Sequence, residues 1–243
     1  MNSFLAKTRE RLNSWHKSTK HHFGRFIERI RRPISVSTLC AILSAFTLVA
    51  YNIPVIKTVF SNVEGDFNGW LILLSLIVLL LVVNFILYYI LLYVGRIVGK
   101  AIIAFTLIGN AISMYFVNSY NVIISQEMMG NVFNTRFSEA SGFFSLGAVL
   151  YTLLLGIVPA AYTLLRKVEY DAPKRTAGTA AAALGISLVA VLANFNNFTW
   201  IDRHATQIGS LLMPWSYTVN TVRYFNGERQ RNRTQILLPD ATI

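Results

Sequence analysis

The sequence predicts an all-α fold: a five-helix transmembrane bundle with an amphipathic N-terminal helix and further helices lying on the outer membrane surface. Three observations predict it. Of 243 residues, 54% are hydrophobic and only 14% charged, and the mean hydropathy is +0.49, where a soluble domain carries about a quarter charged residues. The charges leave five free runs, at 33–56, 67–95, 101–126, 140–165 and 176–201, each longer than the roughly 20 residues that cross a bilayer as a helix. Lys and Arg gather asymmetrically between those runs. The single cysteine, Cys40, lies inside the first run and excludes an intrachain disulfide and a thiolate metal site.

The first 32 residues carry nine Lys and Arg before any long apolar run and show no cleavable signal. Leu12, Trp15, Phe23, Phe26, Ile27 and Ile30 fall largely on one helical face among basic residues, which suits a helix lying on anionic lipid at the cytoplasmic surface. His16, His21 and His22 lack metal-ligand spacing and read as part of that solvated basic face. The spans are expected near residues 36–56, 69–94, 98–118, 142–165 and 177–196. Pro54 sits near the outer end of the first, where a missing donor is tolerated. Asn84 and Asn110 are polar groups at depth, explained by interhelical hydrogen bonds. The small residues that open span five, Ala177, Gly178 and 180–183, predict close packing and an interior position.

With the N-terminus inside, the cytoplasmic side holds fifteen of the twenty-two Lys and Arg, and the two short outer loops hold only Lys57 and Arg136. The N-terminus is therefore cytoplasmic and the C-terminus outside. Trp70, Trp200 and Trp215 fall on the outer side as an aromatic belt. The excess of basic residues serves topology, and no nucleic-acid partner is expected. Apart from Lys100 at the cytoplasmic edge of the third, no Asp, Glu, Lys or Arg lies within a span, which argues against an ion-coupled transporter. P-loop, dinucleotide, CxxC, HExxH and GxSxG patterns are absent from the sequence.

The chemically informative segment is the outer loop between spans three and four, residues 114–144. Asn131, Thr135 and Glu139 stand at i, i+4 and i+8, which on one helix stacks an amide, a hydroxyl and a carboxylate along one side. Glu127 is four residues earlier, and Met128, Met129, Val132, Phe133 and Phe137 supply an apolar side. A zwitterionic lipid headgroup would meet the Glu139 carboxylate with its ammonium and donors from Asn131 and Thr135 with its phosphate. An ordinary amphipathic connector whose polar face meets water has the same spacing.

The run Tyr115-Phe116, Tyr120, Ile124, Met128, Asn131-Val132, Thr135 and Glu139-Ala140 resembles the signature of the N-terminal membrane domain of the phosphoethanolamine transferases. The resemblance covers almost the whole chain, including the outward tail with Pro214 and the terminal Leu238-Pro239-Asp240-Ala241. It implies five helices in a bacterial inner membrane, with the C-terminus in the periplasm. It further implies a soluble zinc-dependent domain after Ile243 whose threonine passes phosphoethanolamine from phosphatidylethanolamine to lipid A or a related envelope glycan. By the same resemblance Asn131, Thr135 and Glu139 reach toward the lipid substrate, with Tyr120 and Glu127 in support. The zinc ligands and nucleophile belong to that soluble domain, so no catalytic or metal-binding residue is expected in this chain, which by itself would be inactive. Ser125 stands where the family has Asp, Asn121 where it has Gly, and Gly130 and Asn134 where it has Gln-like residues, which leaves the acceptor open.

The domain reading is a basic segment at 1–32, a five-span membrane domain at 33–200, and a periplasmic bridging helix with a polar linker at 201–243. In the last, Ile208, Leu211, Leu212, Trp215, Val219 and Val222 recur at helical spacing with Pro214 as a kink, and Asn226-Gly227 with the charged run after it ends the helix. A non-catalytic five-span accessory or scaffold protein is the alternative function.

Overall fold

The computed structural model of the chain describes residues 32–140, 142 and 145–237. The basic helix expected before residue 32, and the terminal stretch 238–241, lie outside them. The elements are α1 (Val36–Tyr51), α2 (Ile53–Asn62), α3 (Phe67–Val94), α4 (Arg96–Tyr120), α5 (Gln126–Asn134), α6 (Phe137–Ala140), α7 (Leu146–Leu165), α8 (Pro173–Ala193), α9 (Phe198–Gly209) and α10 (Trp215–Leu237). A parallel ladder of two residues per strand, β1 (Ile34–Ser35) with β2 (Val168–Glu169), pairs Ile34 with Val168 at one end of the bundle. The described chain is thus all-α apart from that ladder. Four helices, α3, α4, α7 and α8, are each long and apolar enough to cross a membrane, and α1 with α2 makes a fifth, bent span.

The central helix is α3, apolar on every side, as a helix surrounded by lipid and other helices should be. It packs on α1, α4 and α8. The core between α1, α3 and α4 is built from Leu39, Leu43, Tyr51, Tyr88, Leu92, Ile103 and Leu107, all nearly or fully buried. Its polar groups pair inside: the Thr47 and Tyr88 hydroxyls meet at 2.7 Å. Tyr51 Oη donates to the carbonyls of Leu107 and Leu155. The second of these lies in a π-helical turn of α7, Thr152–Ile157, where the i→i−4 ladder is interrupted and a carbonyl can turn to a side chain. Gly99 permits the one-residue connection between α3 and α4, because a Cβ there would lie 1.9 Å from the Leu91 carbonyl oxygen.

The first span is not straight. It bends by 62° at Asn52, since Pro54, two residues on, lacks the donor that would continue the ladder. Fully buried Asn52 ties the bend to the start of α10: Nδ2 donates to the carbonyls of Thr47 (3.0 Å) and Met213 (3.2 Å), and Oδ1 accepts the Met213 N–H (3.0 Å).

Several sequence expectations change. Helix α8 is peripheral, not interior. Only Ala183 and Ala190 are buried, facing α3, while Leu184, Leu188, Val189 and Leu192 are exposed. Small residues admit one close neighbour, and lipid tails gain nothing from having leucines hidden. Asn110 bonds between helices, accepting from Tyr217 Oη of α10 at 3.0 Å, but Asn84 does not: its amide donates to Leu80 O of its own helix and Oδ1 is unpartnered. Of the belt tryptophans, Trp70 is exposed and Trp200 donates to Asn62 O at 3.2 Å, whereas the Trp215 indole nitrogen is buried. The tail is helical through Asn226-Gly227 to Leu237. A single interior Gly costs only about 1 kcal/mol against Ala, and the Glu228–Arg231 ion pair on consecutive turns supports the helix beyond it.

Asn52→Ala removes three hydrogen bonds and leaves the Met213 amide and carbonyl buried without partners, at roughly 1–3 kcal/mol for each such group. The expected result is a loss of about 3 kcal/mol in detergent unfolding, with Asn52→Gln recovering little because its longer stem misplaces the amide.

Candidate functional site

The residues that carry the chemistry lie at the end of the bundle opposite the β ladder. Helix α4 ends there on Asn121, whose φ of 51° is left-handed. Apart from Gly, Asn is the residue that adopts this conformation most readily, so Asn121 suits a turn that a glycine would also make. The chain then runs through 122–125, where Ile124 N donates to Ser210 O (3.1 Å) and Asn220 Nδ2 donates to Ile124 O (2.6 Å). Ser125 begins α5, its hydroxyl accepting from Met128 N at 3.2 Å. Serine and aspartate are equivalent at that position, which accounts for the second departure from the family pattern. A hydrogen bond from the Ser125 hydroxyl, and a second from the Glu127 backbone N–H, stabilise the Glu127 carboxylate and hold its pKa below the ordinary value.

Helix α5 lies on α10, and glycines set the distance. A Cβ on Gly130 would lie 3.0 Å from the Tyr224 ring, and one on Gly227 would lie 3.1 Å from Gln126 Nε2. Tyr224 stacks on Phe133 with ring centroids 5.7 Å apart, and its hydroxyl accepts from Asn134 Nδ2 at 3.1 Å. A longer residue in place of Gly130 would have to displace that ring, the third departure explained. Between the two helices opens a cleft of about 820 Å³ lined by Gln126, Glu127, Asn131, Asn134, Gln230 and Arg231, with Gly130, Tyr224 and Gly227 beneath.

The three residues expected on one helical stripe are not on one helix. Helix α5 stops at Asn134, and Thr135 takes an extended conformation. Both its amide (2.9 Å) and its hydroxyl (2.6 Å) donate to the Asn131 carbonyl. A hydroxyl can close a helix end in this way because the last carbonyls lack intrahelical partners. Its proton is then committed, so Thr135 can offer a ligand only lone pairs, which suit an ammonium better than a phosphate. Glu139 is exposed on the separate short helix α6. Asn131 and Glu127 line the cleft; Thr135 and Glu139 are outside its lining. Tyr120 is 45% exposed on the last turn of α4 and stacks on Phe116 at 5.6 Å.

Sequence reasoning missed Gln126, Asn134, Tyr224, Gly227 and Gln230 as a group, and read Arg231, with Arg223, Arg229 and Arg233, as a solvated linker in preference to a site for phosphorylated glycolipid. The second half of the set lies about a hundred residues from the first, and the stretch containing it reads as a polar linker. Among the described residues no three His, Cys, Asp or Glu side chains come together as metal ligands. His204 Nδ1 lies 2.8 Å from Trp200 O, with its ring stacked on that indole.

Comparison with known proteins follows the same frame. The family described as phosphoethanolamine transferase EptA/EptB matches residues 79–229, from within α3 to α10. A phosphoethanolamine transferase EptA of Helicobacter pylori is 35% identical over 122 residues, which are 50% of this chain and 23% of that protein. The integral membrane lipooligosaccharide phosphoethanolamine transferase A of Neisseria meningitidis superposes with a TM-score of 0.69 at 20% identity, over 82% of this chain and 37% of that one. The chain thus spans well under half the length of either relative.

Ser125→Ala should remove the α5 cap, worth about 1 kcal/mol, and raise the Glu127 pKa toward its ordinary value. The stabilisation from Glu127 is present above the ordinary carboxylate pKa and is lost as pH falls through the lowered one. Hydrogen exchange of the first α5 amides should therefore speed up about fivefold near neutral pH, with the difference from wild type shrinking in acid.

Proposed function

The chain belongs to the phosphoethanolamine transferase EptA/EptB family, as its N-terminal membrane domain, and on that premise we propose that it anchors such an enzyme and presents the donor lipid to it. The observation that carries the proposal is the family match over 79–229, which takes in the α4 end, the α5–α6 segment and the α10 wall together. The proposed setting is a bacterial inner membrane, with the N-terminus cytoplasmic, held there by its basic helix on anionic lipid, and the C-terminus periplasmic. The proposed donor is phosphatidylethanolamine and the acceptor lipid A or a related envelope glycan.

The chemistry supports a division of labour around the end of α5. Glu139 is an exposed carboxylate on α6, acceptor-only when ionised and suited to an ammonium. Thr135 offers lone pairs to the same charge. Asn131, exposed on α5, offers amide donors to a phosphate oxygen. Tyr120, on the last turn of α4, and Glu127, at the start of α5, are proposed as supporting groups.

Zinc, which the family implies, does not fit the described residues. No acidic, histidine or cysteine cluster exists among them, and Cys40 is buried in the core. Metal-assisted activation of a threonine nucleophile is proposed to reside in a soluble domain attached to this anchor.

In the full-length transferase, Glu139→Gln should raise the KM for phosphatidylethanolamine about tenfold, the equivalent of ~1.4 kcal/mol, with membrane insertion unchanged. Unchanged transfer at limiting donor lipid would remove Glu139 from the site.

A further inference from the structure

We propose that the cleft between α5 and α10 is a carbohydrate site that takes a phosphorylated sugar, separate from the donor-lipid surface of Thr135 and Glu139. The proposal rests on the reading of this chain as a transferase membrane domain and deepens it by giving the glycan acceptor a place.

The lining carries the argument. Four carboxamides, Gln126, Asn131, Asn134 and Gln230, line one cleft. A carboxamide combines two donors with an acceptor, and a sugar hydroxyl both donates and accepts, so one amide can serve two neighbouring hydroxyls. Asn134 gives its Nδ2 hydrogens to Gly130 O (2.9 Å) and Tyr224 Oη (3.1 Å), so the group it can offer a ligand is Oδ1. The Glu127 carboxylate adds a strong acceptor at the start of α5. Arg231, 68% exposed in its side chain and paired with Glu228 along α10, adds a planar donor fork suited to phosphate.

Size suits a sugar. A cleft of about 820 Å³ falls in the range of small-molecule sites, about 300–1,000 Å³, and is larger than a lone phosphate or an ethanolamine headgroup needs. Its one aromatic, Tyr224, is stacked on Phe133 and in edge contact with Phe225. The glycines at 130 and 227 keep the floor open, since Cβ atoms there would press on Tyr224 and Gln126. Asn131 stands at the border, between the cleft and the Thr135 cap.

The test is saturation-transfer NMR on the 243-residue chain in phosphatidylcholine nanodiscs, with N-acetylglucosamine 1-phosphate at millimolar concentration as probe. Wild type should transfer saturation to the ring protons. Gln126→Ala combined with Gln230→Ala should lower that signal at least fivefold. Gly227→Leu, which fills the cleft and pushes on the Gln126 amide, should abolish the signal, and the thermal midpoint is read beside it to separate loss of the cleft from loss of the fold. No transfer to wild type, or full transfer to Gly227→Leu, overturns the proposal. Complete displacement by inorganic phosphate together with no signal from unphosphorylated N-acetylglucosamine also overturns it, because the site would then read only an anion. Glu139→Gln should leave the sugar signal intact. A sugar signal that fails while Glu139→Gln still raises the donor KM sinks this inference alone.

Discussion

Asn52 holds together the end of the molecule on which its function is proposed to depend. A membrane-embedded helix has no water to satisfy a broken ladder, so a bend is tolerated only where other groups take over the exposed backbone valences. At this bend the Asn52 carboxamide binds another segment: it donates to the Met213 carbonyl and accepts from the Met213 N–H, 161 residues away. The Met213–Pro214 segment, the start of α10 and the end of α9 are thereby fixed to the bend in the first span. From this anchor the remaining contacts follow: Tyr217 reaches Asn110 in α4, Asn220 holds Ile124, and Tyr224 meets α5. Each lies about one turn of α10 beyond the last, so one helix records the position of the bundle along its length.

That arrangement explains how a short amphipathic segment can be a defined surface. Helix α5 has nine residues, too few to be stable alone in water. It is capped by Ser125 at one end and closed by Thr135 at the other, and its Gly130 face rests on Tyr224. The departures from the family signature are compensated in kind: Asn121 supplies the left-handed turn, Ser125 supplies the cap, and Gly130 makes room for an aromatic ring. Substitutions of this sort keep backbone geometry while changing which side chains face outward.

The bundle has a division of its own. At the ladder end, Asp171 accepts from the amide and hydroxyl of Ser37 and pairs with Arg175 at 3.5 Å, Arg96 lies over the Tyr170 ring at 4.4 Å, and Lys100 donates to Arg166 O. The cations there are held by carbonyls, rings and a buried carboxylate. At the other end polar side chains line an open cleft. Between the two ends the helices hold their few polar groups against one another, as the Thr47–Tyr88 and Tyr51 hydrogen bonds show, and turn leucine and valine to the lipid.

How much was legible in the sequence depended on distance along the chain. The absence of charge over lengths that span a bilayer determined four straight helices and the place of the fifth, and the spacing from Tyr115 to Ala140 identified the family and the outer segment. These signals are local, written in hydropathy and in runs of neighbouring residues. Three things were decided only by tertiary structure. The bend at Asn52 needed Met213, and the outward position of α8 needed the other helices to show which side its alanines would face. The cleft needed α10, whose polar run reads as a linker until the helix is seen lying on α5. The stripe of Asn131, Thr135 and Glu139 failed for a local reason with a tertiary setting: a threonine hydroxyl can continue a helical face or close a helix end, and with α5 fixed against α10, Thr135 closes it.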